Sequence, residues 1–403
     1  MATAKKKTTK RKKKKKKNIG LRIFLVLIEI IVILLLVYLF IRYKKSSDQI
    51  VRTELNEEAL EINTELDAET VEVLEGYTTI ALFGTEYTGH SDTIIIAAID
   101  NDTKNMKLCS VYRDTYLNMT DGTYSKANAA YADGGPQQAV AMLNSNLDLS
   151  IRDFVAVDFT AMIKMVDLLG GIELTIDPEE AAIMNGEFAE SKEDYIATLT
   201  YYNELGTVNP EEIASKTTES QRAELAAKVQ EEHVSPGTFT ADGIQTAAYC
   251  RIRYTTGWDF KRAERQRDVI HKIVNKAKTK GAGEVRSIAE KVLQGGGVST
   301  SFTNDVELLE LVTRMMDYDI SEDMGFPFFK NTSEISGSIV VPCDLQTNVD
   351  YLHEFLYKND SYVPTAQIRK ISADIIAKTG MGRKDAADAM YDSVSSSEMP
   401  EQE

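Results

Sequence analysis

Residues 78–115 read TTIALFGTEYTGHSDTIIIAAIDNDTKNMKLCSVYRDT, and this stretch decides the fold class. Residues 78–83 form an apolar run that stops at Gly84, the pattern of a strand ending in a turn. Residues 93–99 (TIIIAAI) are a second strand, 100–105 a polar turn and 106–111 a return strand. Two continuous apolar runs joined by a short polar turn predict a hairpin buried on both faces. Downstream, residues 126–133 and 137–147 read as helices, the second opening after Pro136. Residues 154–158 are a short strand, 160–169 a helix closed by Gly170-Gly171, and 172–176 a strand. Strand, helix and strand at this spacing predict an α/β layered domain.

The pattern breaks at residues 178–232, which hold 13 acids against four bases and read as an acidic, mostly helical insertion. Its charge is either a solvated face or a binding surface. Beyond it, 242–249 reads as a helix, 250–254 as an extended segment and 261–280 as a basic helix. Residues 304–316 and 348–357 read as helices, with a strand at 338–341 between them. Upstream, 46–77 reads as an acidic stem, and the polar residues from Gly380 onward read as disordered.

The chain has 403 residues and a formal net charge of −16, which hides a split. Residues 1–45 hold 15 Lys/Arg and one acid, Glu29; the remaining 358 hold 31 Lys/Arg and 61 Asp/Glu. Residues 23–41 are apolar apart from Glu29. As a helix they would cover roughly 29 Å, about the hydrocarbon thickness of a bilayer. A cleavable signal peptide has a shorter apolar region and a small-residue cleavage site; this run ends in Arg42-Tyr43-Lys44-Lys45. The expectation is an uncleaved single-span anchor at 23–42. Eleven Lys/Arg precede residue 21, so the N-terminus is expected in the cytoplasm and the rest outside the plasma membrane. The lysine tract then reads as a topology signal lying on anionic lipid, worth about 1 kcal/mol per residue, with no nucleic-acid partner. Three scattered cysteines, Cys109, Cys250 and Cys343, make no disulfide framework and read as buried thiols.

Arginines are bunched within the acidic body. Arg113 follows the return strand, Arg251 and Arg253 lie two apart, and Arg262 and Gln266 share a helix face, with Arg265 beside them. A guanidinium fork matches phosphate geometry and keeps its charge. Two readings stand: a site for a strongly anionic group, or separate ion pairs with nearby acids. Glu86 and Asp92 punctuate the same strand ends, and Asp114 follows Arg113. Such carboxylates suit Mg²⁺ shared with phosphate oxygens; Asp92 could instead close the loop before it. Val269, Ile270, Ile273 and Val274 continue the helix of Arg262 and Gln266 as an apolar stripe, the pattern of plain core.

Taken in order, residues 79–86, His90-Ser91-Asp92-Thr93, 108–115, 126–131, 167–172, 249–253 and 259–267 resemble the LytR-CpsA-Psr family over roughly residues 77–280. The segment with Val340, Asn348 and Leu352 resembles the end of clostridia-like members. The resemblance implies a layered α-β-α domain with a mixed central sheet behind a single transmembrane helix. It implies a cell-envelope phosphotransferase that moves an anionic glycopolymer, such as teichoic acid or capsule, from a polyprenyl pyrophosphate carrier to peptidoglycan. Hydrolysis of the polyprenyl pyrophosphate is an implied side activity. Carried over residue by residue, Arg113, Arg251, Arg253, Arg262 and Gln266 contact the pyrophosphate, and Asp92 and Glu86 hold Mg²⁺. Arg113 and Asp92 are the catalytic candidates, and Val269 and Ile273 line the lipid tunnel. Arg265 and Asp114 match motif positions in either a site role or a structural one.

This chain departs from the family pattern in two places. Glu86 stands where the family usually has Asp, and His90 replaces the Arg of Arg-Ser-Asp-Thr. A histidine clamps phosphate less firmly than an arginine, and one charged contact is worth about 1.5–3 kcal/mol. The alternative is therefore a diverged, non-catalytic polyprenyl-pyrophosphate-binding or regulatory envelope protein. Tyr112 also stands where many members have Pro. The expected layout is a basic tail at 1–22, anchor at 23–42, stem at 43–76, catalytic domain at 77–280 with the insertion 178–232, C-terminal extension at 281–379 and tail at 380–403.

Overall fold

The structure is a computed structural model that describes residues 50–86, 89–186, 196, 199–200, 203–204, 218–253, 255, 258–335 and 337–387. The basic tail and the expected membrane span lie outside the described residues, as does the chain from residue 388; residues 380–387, expected as part of a disordered tail, are instead ordered, with Asn331 Nδ2 donating to Asp385 O at 2.7 Å. Among the described residues no helix is long and apolar enough to cross a membrane.

The strands are β1 (Val51–Arg52), β2 (Tyr77–Thr85), β3 (Ser91–Asp100), β4 (Asn105–Val111), β5 (Tyr116–Asn118), β6 (Tyr124–Lys126), β7 (Asp153–Asp158), β8 (Ile172–Ile176), β9 (Gly237–Ala241), β10 (Val298–Thr300), β11 (Asp319–Phe326), β12 (Lys330–Ser333) and β13 (Ile339–Pro342). Seven of them form one sheet in the order β1-β10-β7-β2-β3-β4-β11. β2, β3 and β4 pair antiparallel, whereas β2 pairs parallel with β7 and β4 with β11, so the sheet is mixed. The hairpin in residues 93–111 is buried on both faces. Ile94, Ile96 and Ala98 pack on one side, with Phe83, Leu143 and Leu352. Ile95, Ala97 and Ile99 pack on the other, with Met106 and Leu108. A period-two alternation with both sets apolar makes the run continuous in sequence.

Helices cover both faces. Ala129–Leu147, Leu345–Tyr357 and Ala366–Thr379 contribute to the first layer, and Trp258–Lys278 to the second. The Ala129–Leu147 element is two helices, as expected at 126–133 and 137–147, separated by the non-helical residues Gly134 and Gly135, where Gly135 takes φ +64. The two-stranded β8–β9 sheet brings together the ends of the acidic insertion. Of that insertion, the described helices are Pro178–Met184 and Glu219–Glu232.

Residues 50–76, expected as a stem, pack into the domain. β1 extends the main sheet beside β10, and Leu60 and Leu74 are buried in the core of the first layer. Asn144 Nδ2 donates to Leu60 O at 2.9 Å and ties this segment to the Ala129–Leu147 helix. All three cysteines are free and buried.

Candidate functional site

Four strand ends and three helices build the site. β2 leads into Glu86, β3 opens with Ser91 and Asp92, and β4 stops two residues before Arg113. Gly84 allows the close approach: a Cβ there would stand 2.9 Å from the Thr93 Cβ on the paired strand. The Gly243–Arg251 helix ends in Arg251, so 250–254 is not the extended segment expected. Ala247, Ala248, Tyr249 and Cys250 bury as helix, and a basic last residue suits its C-terminal dipole. Arg253 follows past the cap, so the two arginines converge through a helix end rather than through strand alternation. Arg262 and Gln266 lie one turn apart on the Trp258–Lys278 helix, with Val269 and Ile273 beyond them.

These residues line one cavity of about 560 Å³, the size of a small-molecule site. Glu86, Asp92, Arg113, Arg251, Arg253, Arg262, Gln266, Val269 and Ile273 all face it. Polarity falls along each element: from Glu86 to Leu82 on the β2 side, from Asp92 to Ile95 on β3, and from Arg262 to Ile273 on the helix. A charged end therefore continues into an apolar one. Val269 and Ile273 belong both to the packed core and to the cavity wall.

Arg113 Nη1 donates to Asp92 Oδ1, and its Nε stands 3.6 Å from Asp114 Oδ1. Arg253 Nε and Arg262 Nη2 share Asp259 Oδ1 at 3.3 Å each. Three guanidiniums thus lean mainly on two carboxylates, and all three line the cavity with more N–H donors than these pairs use. Arg251 lies over the Phe159 ring at 5.3 Å, and Gln266 Nε2 donates to Cys250 O at 3.4 Å. Burial pushes the Asp92 carboxyl up, but the charges of Arg262 and Arg113 outweigh it and hold Asp92 below the usual carboxylate range. Burial pulls the Arg262 guanidinium down, only partly offset by Asp259 and Asp92. Asp114 is driven up by burial despite Arg113 beside it, and Lys126 Nζ stands 3.2 Å from it.

Asp114, Arg265 and His90 lie outside the cavity lining. Arg265 is buried and donates to Glu180 Oε1 and Thr255 Oγ1, both at 2.8 Å, so it ties the start of the insertion to the helix. His90 contributes its backbone: Glu86 N donates to His90 O at 3.2 Å and closes the loop. Among the described residues no cluster of three or more His, Cys, Asp or Glu is placed to hold a metal.

The sequence reading missed Asp158, Phe159, Met162 and Met165 as cavity residues, and Asp259 as the tie between two arginines. Asp259 opens the quoted motif 259–267 and was visible there. Asp158 comes into the site only because β7 pairs with β2, setting it opposite Thr85. It caps the Phe159–Leu169 helix by accepting from Ala161 N at 2.9 Å, and burial drives its carboxyl up.

A sequence model described as the LytR_cpsA_psr family matches residues 37–325. Biofilm regulatory protein A of Streptococcus mutans is 28% identical over 199 residues, 47% of this chain and 39% of that protein. The polyisoprenyl-teichoic acid–peptidoglycan teichoic acid transferase TagU of Enterococcus faecalis is 27% identical over 237 residues, 58% of this chain and 56% of that protein. The chain thus spans about half the length of these curated relatives. A solved structure of TagT bound to LI-WTA superposes with a TM-score of 0.51 at 16% identity, covering 82% of this chain and 100% of that one. A likeness at that identity speaks to the fold.

Proposed function

Because the chain belongs to the LytR-CpsA-Psr family, we propose that it is a membrane-anchored, Mg²⁺-dependent phosphotransferase. It takes an anionic glycopolymer from a polyprenyl pyrophosphate carrier and attaches it to peptidoglycan. Residues 43–403 act outside the plasma membrane, and the basic tail stays on the cytoplasmic side. One observation carries this reading: a single cavity joins an arginine-rich end to an apolar end. That is the polarity of a lipid pyrophosphate. The Enterococcus faecalis relative, a teichoic acid transferase by name, supports the same reaction class.

Arg113, Arg251, Arg253 and Arg262 bind the pyrophosphate oxygens, and Gln266 adds a neutral donor. The acceptor hydroxyl forms a new P–O bond to the glycan-linked phosphorus. The bond from that phosphorus to the bridging oxygen breaks, and polyprenyl phosphate leaves. The arginines neutralise the oxygen charge that builds during this exchange. Asp92 and Glu86 would hold Mg²⁺, whose charge adds to that neutralisation. Two cavity carboxylates suit an ion completed by substrate oxygens and water. Asp158 receives the hydroxyl proton: it lines the cavity, and its raised affinity for a proton suits a base better than the arginine-held Asp92 does. Water in place of the acceptor gives hydrolysis as a side reaction.

A second reading, non-catalytic binding of the carrier, is favoured by one observation. His90 stands where the family has arginine, and among the described residues it is not one of the cavity-lining groups. Incubating the full-length protein in detergent with a polyprenyl-pyrophosphate-linked glycan and peptidoglycan separates the two. Transfer that stops on chelation of Mg²⁺ and returns on its addition is the expected result. Tight carrier binding with no transfer at any Mg²⁺ concentration contradicts the enzyme reading.

A further inference from the structure

We propose that Lys330, on β12 and outside the cavity, is a positioning residue that holds the two halves of the arginine cluster in register; this rests on the cavity being a pyrophosphate site. Lys330 is 6% exposed. Its Nζ stands 5.3 Å from the Tyr112 ring centroid and 5.1 Å from that of Phe260. The two rings meet edge to face at 4.7 Å. One ammonium group therefore sits on two rings that belong to different segments.

Each ring is next in sequence to a residue of the arginine cluster or to its carboxylate tie. Tyr112 directly precedes Arg113, whose partner is Asp92. Phe260 directly follows Asp259, which ties Arg253 and Arg262. Tyr112, Ala263 and Val340 form a small buried cluster with Phe260 packed against it, apart from the main cores. The C-terminal extension grips the same place through its backbone. Tyr112 N donates to Phe326 O at 3.0 Å, and Val340 N donates to Asp114 O at 2.8 Å. Lys330 is itself anchored, because β12 pairs with β13 and Ala387 N donates to Lys330 O at 3.0 Å. Attraction between a cation and a ring face is electrostatic and grows when water is excluded. A shared cation between the rings therefore fixes the spacing between Arg113 on one side and Arg253 and Arg262 on the other. Bidentate recognition of a pyrophosphate depends on that spacing.

The test measures binding of geranylgeranyl pyrophosphate to the full-length protein in detergent, with thermal unfolding followed in parallel. Lys330→Met keeps the side-chain length and removes the charge; it is expected to weaken binding about tenfold. Lys330→Arg keeps a cation over both rings and is expected to bind as wild type does. A merely structural lysine would lower the melting temperature of Lys330→Met and leave the affinity of the folded protein unchanged. Wild-type affinity in Lys330→Met, with affinity lost in Arg113→Ala, overturns the inference and leaves the pocket assignment standing. Should Lys330→Met not fold, Phe260→Leu decides: an affinity loss of similar size supports the inference, and wild-type affinity overturns it. Wild-type affinity in Arg113→Ala removes the pocket assignment and the inference with it.

Discussion

Asp92 and Asp158 line one cavity and are driven in opposite directions. Burial raises both, but Arg262, Arg113 and Arg253 reverse the effect at Asp92, whereas Asp158 has only the amides of the helix it caps. Acid and base roles follow from such divergent environments. Asp92 stays charged and suits a cation; Asp158 suits a transferred proton. Asp158→Asn is the informative substitution because Asn caps a helix as well as Asp does. It is expected to cut kcat by about 100-fold or more while KM changes little. Activity carried by a carboxylate base rises with pH as that group deprotonates, so this rising limb is expected to vanish in Asp158→Asn. A kcat profile with the limb intact contradicts the role. The arginines and Asp92 were legible in sequence because their chemistry is concentrated in short motifs. Asp158 was not, because a strand-to-helix junction becomes part of a site only through sheet pairing.

Legibility fell at the elements that pack late in the chain. β11 reads DISEDMGF, and its first five residues carry no buried position, as befits an edge strand. Hydrophobic period cannot reveal a strand whose outer half faces water. The Ala366–Thr379 helix escaped the sequence reading too, and it docks through Ile368, Ile371 and Ile375. A polar clamp secures this region. Asp148, with φ +50, accepts from Tyr362 Oη at 2.6 Å and Asn63 Nδ2 at 2.8 Å. His353 Nε2–H donates to Leu147 O at 3.0 Å, and its ring stacks on Tyr362 at 3.8 Å. Burial pulls the His353 imidazole down to about 4. The unfolded imidazole protonates near 6.5, so between those values the unfolded chain binds more protons. Stability therefore falls as pH drops through that window, by about 3 kcal/mol at the limit. His353→Gln, which keeps a donor for Leu147, is expected to flatten the melting temperature between pH 6.5 and 4 relative to wild type. An unchanged slope contradicts this account.

At the scale of the whole molecule, the charge split acquires a layout. Residues 1–45 carry a surplus of bases and the remainder a surplus of acids, yet the cavity gathers four arginines. On the proposed reading, the acidic body repels an anionic polymer in general and the cavity retains its pyrophosphate end. The α/β class followed from residues 78–176, where strand and helix periods alternate, while the mixed sheet was an expectation from the family resemblance alone. The packing of residues 50–76 did not, because a two-residue strand and isolated leucines carry no period of their own. The central claim is that the arginine end of the cavity performs transfer. Its most direct test compares wild type with Arg113→Ala in Mg²⁺-dependent transfer of glycan from a polyprenyl pyrophosphate carrier to peptidoglycan, using full-length protein in detergent. The account predicts a loss of at least about 100-fold in Arg113→Ala with the fold intact by melting temperature; transfer at the wild-type rate would contradict it.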